Sequence, residues 1–249
     1  QQGGILSPCL FNRYIYDLLL LVSRQKVGCN IGGVFANVFA YADDIVLLAP
    51  SWQALQALLR VLENGILAID MSCNTRKTVC MVFSPRQKRK VVSPHFPPLR
   101  LFGTDLLYVD NFKYLGHIID NKLNDDADIQ REIRNLFTRA NILTRRFSLC
   151  SQSVKVALFK SYCISLYGCA LWRNHTVSSL SKLRSCYHRC VKTFFGYKRH
   201  DSMTAVLFKL SIPSFNTLLH NSRCILRSQT VNCINSLLQA CCNRVAAII

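Results

Sequence analysis

The spacing of apolar positions changes period along the chain, and the changes divide it. From Ser7, the residues Leu10, Phe11, Tyr14, Ile15, Leu18 and Leu21 recur at helical spacing. They predict an amphipathic helix with Ser7 as N-cap and Pro8 in its first turn. Residues 28–33 read as loop. Val38 to Ala49 packs β-branched and aromatic residues around Asp43-Asp44, which predicts two short strands meeting at a tight turn that carries both acids. Ser51 then caps a second helix with Leu55, Leu58, Leu59, Leu62, Ile66 and Ile69 on one face. A polar turn, Cys73 to Lys77, leads into a predicted strand from Thr78 to Phe83 and leaves Lys77 at the strand mouth.

Between Ser84 and Pro98 the composition shifts to proline, serine and bases, including Arg86, Lys88, Arg89 and Lys90, which predicts a surface loop. Such a run serves as a phosphate patch, as a nuclear targeting signal or simply as a solvated surface. Three apolar pieces follow, Leu99 to Phe102, Leu106 to Val109 and Lys113 to Ile119, and read as a small antiparallel unit. Beyond Asp120 the period becomes helical. Asp125, Asp126 and Asp128 open a helix at the end its macrodipole favours, with Ile129, Ile133, Leu136, Phe137, Ala140 and Leu143 along one face. Arg131, Arg134, Arg139, Arg145 and Arg146 occupy much of the remaining surface, where they could track a phosphate backbone or merely be solvated. Further helices are predicted from Ser153 to Trp172, from Thr176 to Phe195 with Gly196 as a stop, and from about 213 to 242 with a break. No internal repeat is present.

Charge narrows the possible partners. Thirty-one Lys and Arg against 13 acids give a formal charge of +18 over 249 residues, and no acid follows Asp201. This excess points to a polyanion, either nucleic acid or an anionic membrane surface. No apolar run reaches the ~18 residues of a membrane span, and no secretory signal is evident, so nucleic acid is the expected partner and a membrane is not. The 13 cysteines are odd in number and without repeated C-x-x-C pairs, which predicts free thiols in a reducing, intracellular setting. Cys186, His188 and Cys190 lack a second ligand pair spaced for zinc. The sequon at Asn174 is expected to go unused without a secretory route. The chain starts at Gln1 with no initiator Met, and we expect it to be a piece of a longer protein.

The chemistry concentrates at Asp43-Asp44. Two carboxylates flanked by core strands repel each other, so the pair needs either full solvation or a shared divalent cation with oxygen ligands. Asp is also a good turn former, and both readings stand on these residues alone. The glycine pair Gly3-Gly4 before a helix start leaves backbone free to approach a base or phosphate, or marks no more than an ordinary capped helix.

Taken in order, these pieces resemble the reverse transcriptase of non-LTR (LINE-type) retrotransposons. Gln2-Gly3-Gly4-Ile5-Leu6-Ser7-Pro8-Cys9-Leu10-Phe11-Asn12 looks like motif B of that family, and Phe39-Ala40-Tyr41-Ala42-Asp43-Asp44 looks like motif C. Asn74-Thr75-Arg76-Lys77-Thr78-Val79-Cys80-Met81-Val82-Phe83 is similar to motif D, and Phe112-Lys113-Tyr114-Leu115-Gly116 to the primer-grip hairpin. The resemblance implies an α+β right-hand polymerase. Residues 1–120 would be a partial palm, an antiparallel sheet with flanking helices, 121–200 a helical thumb and 201–249 a C-terminal helical extension. It implies RNA-templated DNA synthesis by two-metal nucleotidyl transfer, with Mg²⁺ or Mn²⁺ as cofactor and two ions in the complete enzyme. Asp43 would be the principal metal ligand and Asp44 the secondary one, with Lys77 meeting the pyrophosphate charge. Gln2, Gly3, Ser7, Pro8 and Tyr41 would line the template and nucleotide site, and Lys113, Tyr114, Leu115 and Gly116 would position the primer terminus. The implied partners are an RNA template, a DNA primer and deoxynucleoside triphosphates, in the nucleus and cytoplasm.

Two departures qualify the resemblance. Asp70 stands where the family usually has a glycine ending the motif D helix, though Asp can adopt a left-handed cap. Motif A, with the other catalytic aspartate, is absent, and Asp17 in mid-helix is no substitute. The isolated chain is therefore expected to be inactive. Two other readings remain: a non-catalytic, basic nucleic-acid-binding remnant of such an element, and the DNA-maturase or telomerase-like polymerases that share the palm.

Overall fold

The structure, a computed structural model, describes residues 4–84 and 96–246. Gln2, Gly3 and the basic run 86–90 lie outside the described residues. The chain divides into two compact units, one formed by 1–109 with 230–249 and the other by 110–229.

In the first unit, helix α1 (Ser7–Ser23) starts one position earlier than the predicted cap. Leu6 is the N-cap with right-handed helical dihedrals, and Ser7 is already helical. The predicted stripe on α1 is also narrower than expected, because only Ile15, Leu18 and Val22 are buried while Leu10, Tyr14 and Leu21 are exposed. Leu18 and Val22 of this set pack on helix α2 (Trp52–Ala68) with Leu58, Leu62 and Ile66. Each buried side chain of this kind contributes about 1.5–3 kcal/mol. Gly65 permits the close approach, since a Cβ there would lie 2.3 Å from Leu18 Cδ1. Ser51 caps α2 as predicted, its hydroxyl accepting from Ala54 N. Asp70, after the helix, takes the left-handed conformation at φ 50°.

Between α1 and α2 lie two hairpins. The stretch read as loop is the first of them, β1 (Cys29–Ile31) paired with β2 (Val34–Ala36), turned by Gly32-Gly33. The second joins β3 (Val38–Tyr41) to β4 (Asp44–Leu47). Asn37, 2% exposed, links the hairpins to the end of α1: its amide Nδ2 lies 3.0 Å from the Val22 carbonyl and 3.1 Å from that of Gln25. Helix carbonyls left without partners at a C-terminus need such a donor.

The strand predicted over 78–83 is only β5 (Val79–Cys80). The apolar pieces after residue 98 are likewise not one antiparallel unit. β6 (Arg100–Leu101) and β7 (Thr104–Asp105) form a hairpin around Phe102-Gly103, whereas β8 (Leu107–Tyr108) pairs with β5 in parallel. A parallel pair needs a long connection, and the chain between Cys80 and Leu107 supplies it. Leu59, Cys80, Leu99, Leu101 and Leu106 form the core here. The C-terminal helix Ser236–Ala246 packs on β1 and β2 in this unit.

In the second unit, the apolar piece over 113–119 lies in a hairpin of its own, β9 (Asn111–Tyr114) with β10 (His117–Asp120). Helix α3 (Asp126–Phe147) packs along α5 (Val177–Phe195), with α4 (Gln152–Tyr162) against α3. The helix predicted to reach Trp172 ends at Tyr162 instead. Cys163, Leu166, Cys169 and Trp172 are all buried at three-residue intervals, which mimics a helical stripe. That spacing belongs to a compact turn with Gly168 at φ 76° and a single 3₁₀ turn, Cys169–Leu171. Thr176 caps α5 and Gly196 ends it at φ 75°, both as predicted. A short helix, α6 (Met203–Leu210), was not anticipated; α7 (Phe215–Val231) follows, and the expected break precedes the C-terminal helix, α8. Phe159, Trp172, Tyr187 and Phe215 are the largest side chains of this unit's core.

Candidate functional site

The acidic pair stands on a hairpin with a rigid root and an open tip. Val38, Ile45 and Leu47 pack against the α1/α2 core. Tyr41 pairs with Asp44, so Ala42 and Asp43 alone make the turn. Two-residue hairpin turns require positive φ, and Ala42 adopts φ 53° without the ease of Gly or Asn. A left-handed residue with a Cβ costs about 1–2 kcal/mol, so the turn holds some strain beside the acids. The two carboxylates are not both on the turn: Asp43 is, whereas Asp44 begins β4. Tyr41, Asp43 and Asp44 are exposed, and neither carboxylate has a hydrogen-bond or ion-pair partner among the described residues.

Hard oxygen donors without protein partners suit a cation such as Mg²⁺, so the donor chemistry fits. Among the described residues, no group of three or more Asp, Glu, His or Cys is placed to hold a metal. Ser7 and Pro8 are exposed at the start of α1. Lys77 ends a turn in which its amide donates to Asn74 Oδ1 at 3.2 Å; its side chain is exposed and makes no ion pair with Asp43 or Asp44.

The residues matched to the primer grip lie in the second unit. Lys113 pairs with Ile118 and Tyr114 with His117, leaving Leu115 and Gly116 as the turn at φ 45° and 83°. Leu115 is an unfavourable residue for that conformation, and its carbonyl is held by the Tyr167 hydroxyl at 2.9 Å.

Behind this hairpin sits a buried charge network. Asp128 Oδ1 accepts from Ile118 N at 2.9 Å and from Arg131 Nε at 2.6 Å. Its Oδ2 accepts from Trp172 Nε1 at 2.8 Å and lies 3.1 Å from His117 Nδ1. Burial pushes the Asp128 carboxyl up, but the bonds from Arg131, Ile118, Trp172 and His117 outweigh it and hold its pKa down at about 2. Glu132, fully buried, bonds both Arg131 and Arg139. The acids opening α3 therefore do more than answer the macrodipole: Asp125 accepts from Arg173 N and Asn174 N, and Asp126 from Thr176 N. Arg131 and Arg139 are also not part of a free basic face, because the buried acids engage them. Arg134, Arg145 and Arg146 remain exposed.

A groove of about 490 Å³ runs between α3 and α5, lined by Gln130, Phe137, Ser181, Lys182, Ser185 and Arg189 among others, with no acid. The Arg189 guanidinium stands 5.7 Å from the Phe137 ring centroid. Cys186 and Cys190 are buried on α5, and Cys186 Sγ faces the Ile133 carbonyl. His188 is held below its ordinary pKa by burial and by Arg184 and Lys192. No described helix is long and apolar enough to cross a membrane.

Sequence reasoning missed Asn37, His117, Tyr167 and Trp172 as organising residues. A polar residue between two apolar strands was the available signal for Asn37, and the isolated Tyr-Gly pair before a Trp was the signal for the others.

Residues 1–119 match the family model described as reverse transcriptase (RNA-dependent DNA polymerase). Over this N-terminal part the chain is similar to reverse transcriptases, and the matching relatives are polymerases of non-LTR retrotransposons. The chain is 32% identical over 142 residues to the retrovirus-related Pol polyprotein of the R2 element of Nasonia vitripennis, covering 53% of this chain and 14% of that protein. It is 25% identical over 211 residues to the RNA-directed DNA polymerase from the mobile element jockey of Drosophila funebris, covering 78% of this chain and 21% of that protein. A 25% match over 203 residues joins it to a probable RNA-directed DNA polymerase from transposon BS of Drosophila melanogaster, covering 77% and 21%. The matches thus span between 14% and 21% of the length of these relatives.

Proposed function

We propose that the chain contributes the later palm (1–120), the helical thumb (121–200) and a C-terminal helical extension (201–249) of an RNA-directed DNA polymerase. The observation that carries this reading is the exposed, unpartnered pair Asp43-Asp44 on a rooted hairpin within the family-matched residues. Reverse transcriptases generally use divalent metal ions. Asp43 and Asp44 would hold Mg²⁺ or Mn²⁺, two ions in the complete enzyme, which would supply activation of the primer 3′-hydroxyl and neutralisation of the triphosphate charge.

In this assignment Asp43 is the principal ligand and Asp44 the secondary one. Lys77 meets the pyrophosphate charge from an exposed turn. Gln2, Gly3, Ser7, Pro8 and Tyr41 shape the template and nucleotide site, and the turn from Lys113 to Gly116 orients the primer end. The substrates are deoxynucleoside triphosphates, an RNA template and a DNA primer. Among the described residues only two carboxylates gather at the tip, and in this reading the 249-residue polypeptide alone does not polymerise. Elongation of a primed RNA by the purified chain with Mg²⁺ would contradict that statement.

The decisive test is primer extension by a polymerase that contains this chain, with and without Asp43→Asn. Loss of extension in a folded variant supports the metal assignment, and full activity removes it.

A second reading rests on the +18 charge and the acid-free groove between α3 and α5: binding of nucleic acid without chemistry. Binding of that kind weakens steeply with salt and is indifferent to Mg²⁺ and to Asp43.

A further inference from the structure

The turn Leu115-Gly116 is unusual in how completely the backbone around it is held from one side. Its first residue is a leucine at φ 45°, a conformation that the local sequence does not favour. Two residues of the segment after α4 engage the hairpin directly and a third engages it through Asp128. The Tyr167 hydroxyl donates to the Leu115 carbonyl at 2.9 Å. The Tyr167 ring stacks on His117, with centroids 4.7 Å apart and planes at 19°. Gly168 backs directly onto His117: a Cβ there would lie 1.7 Å from the imidazole Cε1, and φ 76° independently requires glycine. Trp172 completes the set by donating from Nε1 to Asp128 Oδ2, the carboxylate that also takes the Ile118 amide through Oδ1. Arg131 closes the back of the cradle, its guanidinium carbon 5.9 Å from the Tyr167 ring centroid and its Nη2 donating to the Tyr167 carbonyl.

We propose that Tyr167, Gly168 and Trp172 form a dock that fixes the conformation of the 115–118 turn, with Tyr167 as a positioning residue for whatever the turn contacts. A hairpin tip with a bulky residue in a left-handed conformation has other accessible conformations, and one hydroxyl together with one stacked ring selects among them. The consequence for synthesis rests on the reading of Lys113 to Gly116 as the element that orients the primer terminus. A tip that wanders by about 1 Å misaligns the reacting ends and lowers the rate of each addition while leaving nucleotide binding untouched.

The test uses two conservative variants. Tyr167→Phe keeps the stacked ring and removes the hydroxyl, and Trp172→Phe keeps an aromatic in the core and removes the indole donor. Amide hydrogen exchange is measured on the full 249-residue chain. Tyr167→Phe is expected to quicken exchange at Gly116 and His117 by about three- to tenfold, the loss of one hydrogen bond, while amides of the β3–β4 hairpin stay unchanged. Trp172→Phe is expected to quicken exchange at Ile118. Unchanged exchange at 116–118 in both variants overturns the dock. Primer extension by the containing polymerase then separates the dock from its use. A comparable fall in kcat at constant nucleotide KM in Tyr167→Phe supports the positioning role. Faster exchange with unaltered extension upholds the dock and overturns instead the primer-grip reading.

Discussion

The molecule uses acidic residues in two opposite ways. At the tip of β3–β4, Asp43 and Asp44 are exposed and have no protein partner among the described residues. At the start of α3, Asp128 and Glu132 are buried, and their oxygens are occupied by two arginines, an indole, an imidazole and a backbone amide. The first arrangement leaves negative charge available to a ligand; the second spends it on holding the fold. As letters both are pairs of acids that differ mainly in spacing, adjacent at 43 and 44 and four apart at 128 and 132. What separates them is whether cations and donors of the same chain reach them.

The contrast can be broken at either end. The largest expected effect is on chemistry: Asp43→Asn should lower templated extension by about a thousandfold or more, since a metal-held charge is worth several kcal/mol. Next comes Asp128→Asn, which leaves Arg131 buried without its main partner. Denaturant unfolding followed by probes in residues 110–229 should show a loss of about 3–5 kcal/mol.

Acid should produce a smaller version of the same loss. The folded pKa of Asp128 is depressed to about 2 from 3.8. Its contribution is therefore complete above pH 4 and is lost as pH falls from about 4 towards 2. A shift of this size corresponds to about 2 kcal/mol, visible as a falling melting temperature that Asp128→Asn no longer shows.

In the first unit, Asn37→Ala removes the donor that serves the end of α1. A cost of about 1–2 kcal/mol is expected in unfolding followed at Trp52. The smallest effect belongs to the exposed pair: Asp43→Asn and Asp44→Asn should change stability by less than about 0.5 kcal/mol. A large destabilisation there would show the tip to be structural and collapse the contrast.

Much of the helical framework was legible in the sequence because caps and period agree. Ser51 with its apolar face, and Thr176 with Gly196, bound α2 and α5 as read. The acidic turn was legible for the same kind of reason, although Asp44 proved to be a strand residue. What was illegible depends on partners distant in sequence. Arg131 and Arg139 look like a solvated basic face until Asp128 and Glu132 are seen buried beneath them. Cys163, Leu166, Cys169 and Trp172 look helical until Gly168 turns the chain. The exposed side of α1, with Leu10, Tyr14 and Leu21, shows that periodicity marks a possible core face without saying how much of it is covered.

The most direct measurement of the central claim is a Mn²⁺ titration of the 249-residue chain, read by paramagnetic broadening of backbone amide signals. The account predicts broadening centred on Tyr41 to Ile45, abolished by Asp43→Asn with Asp44→Asn, and none at Asp128 to Glu132, whose oxygens are already engaged. Broadening absent from the β3–β4 tip, or equally strong at the buried acids, would contradict it.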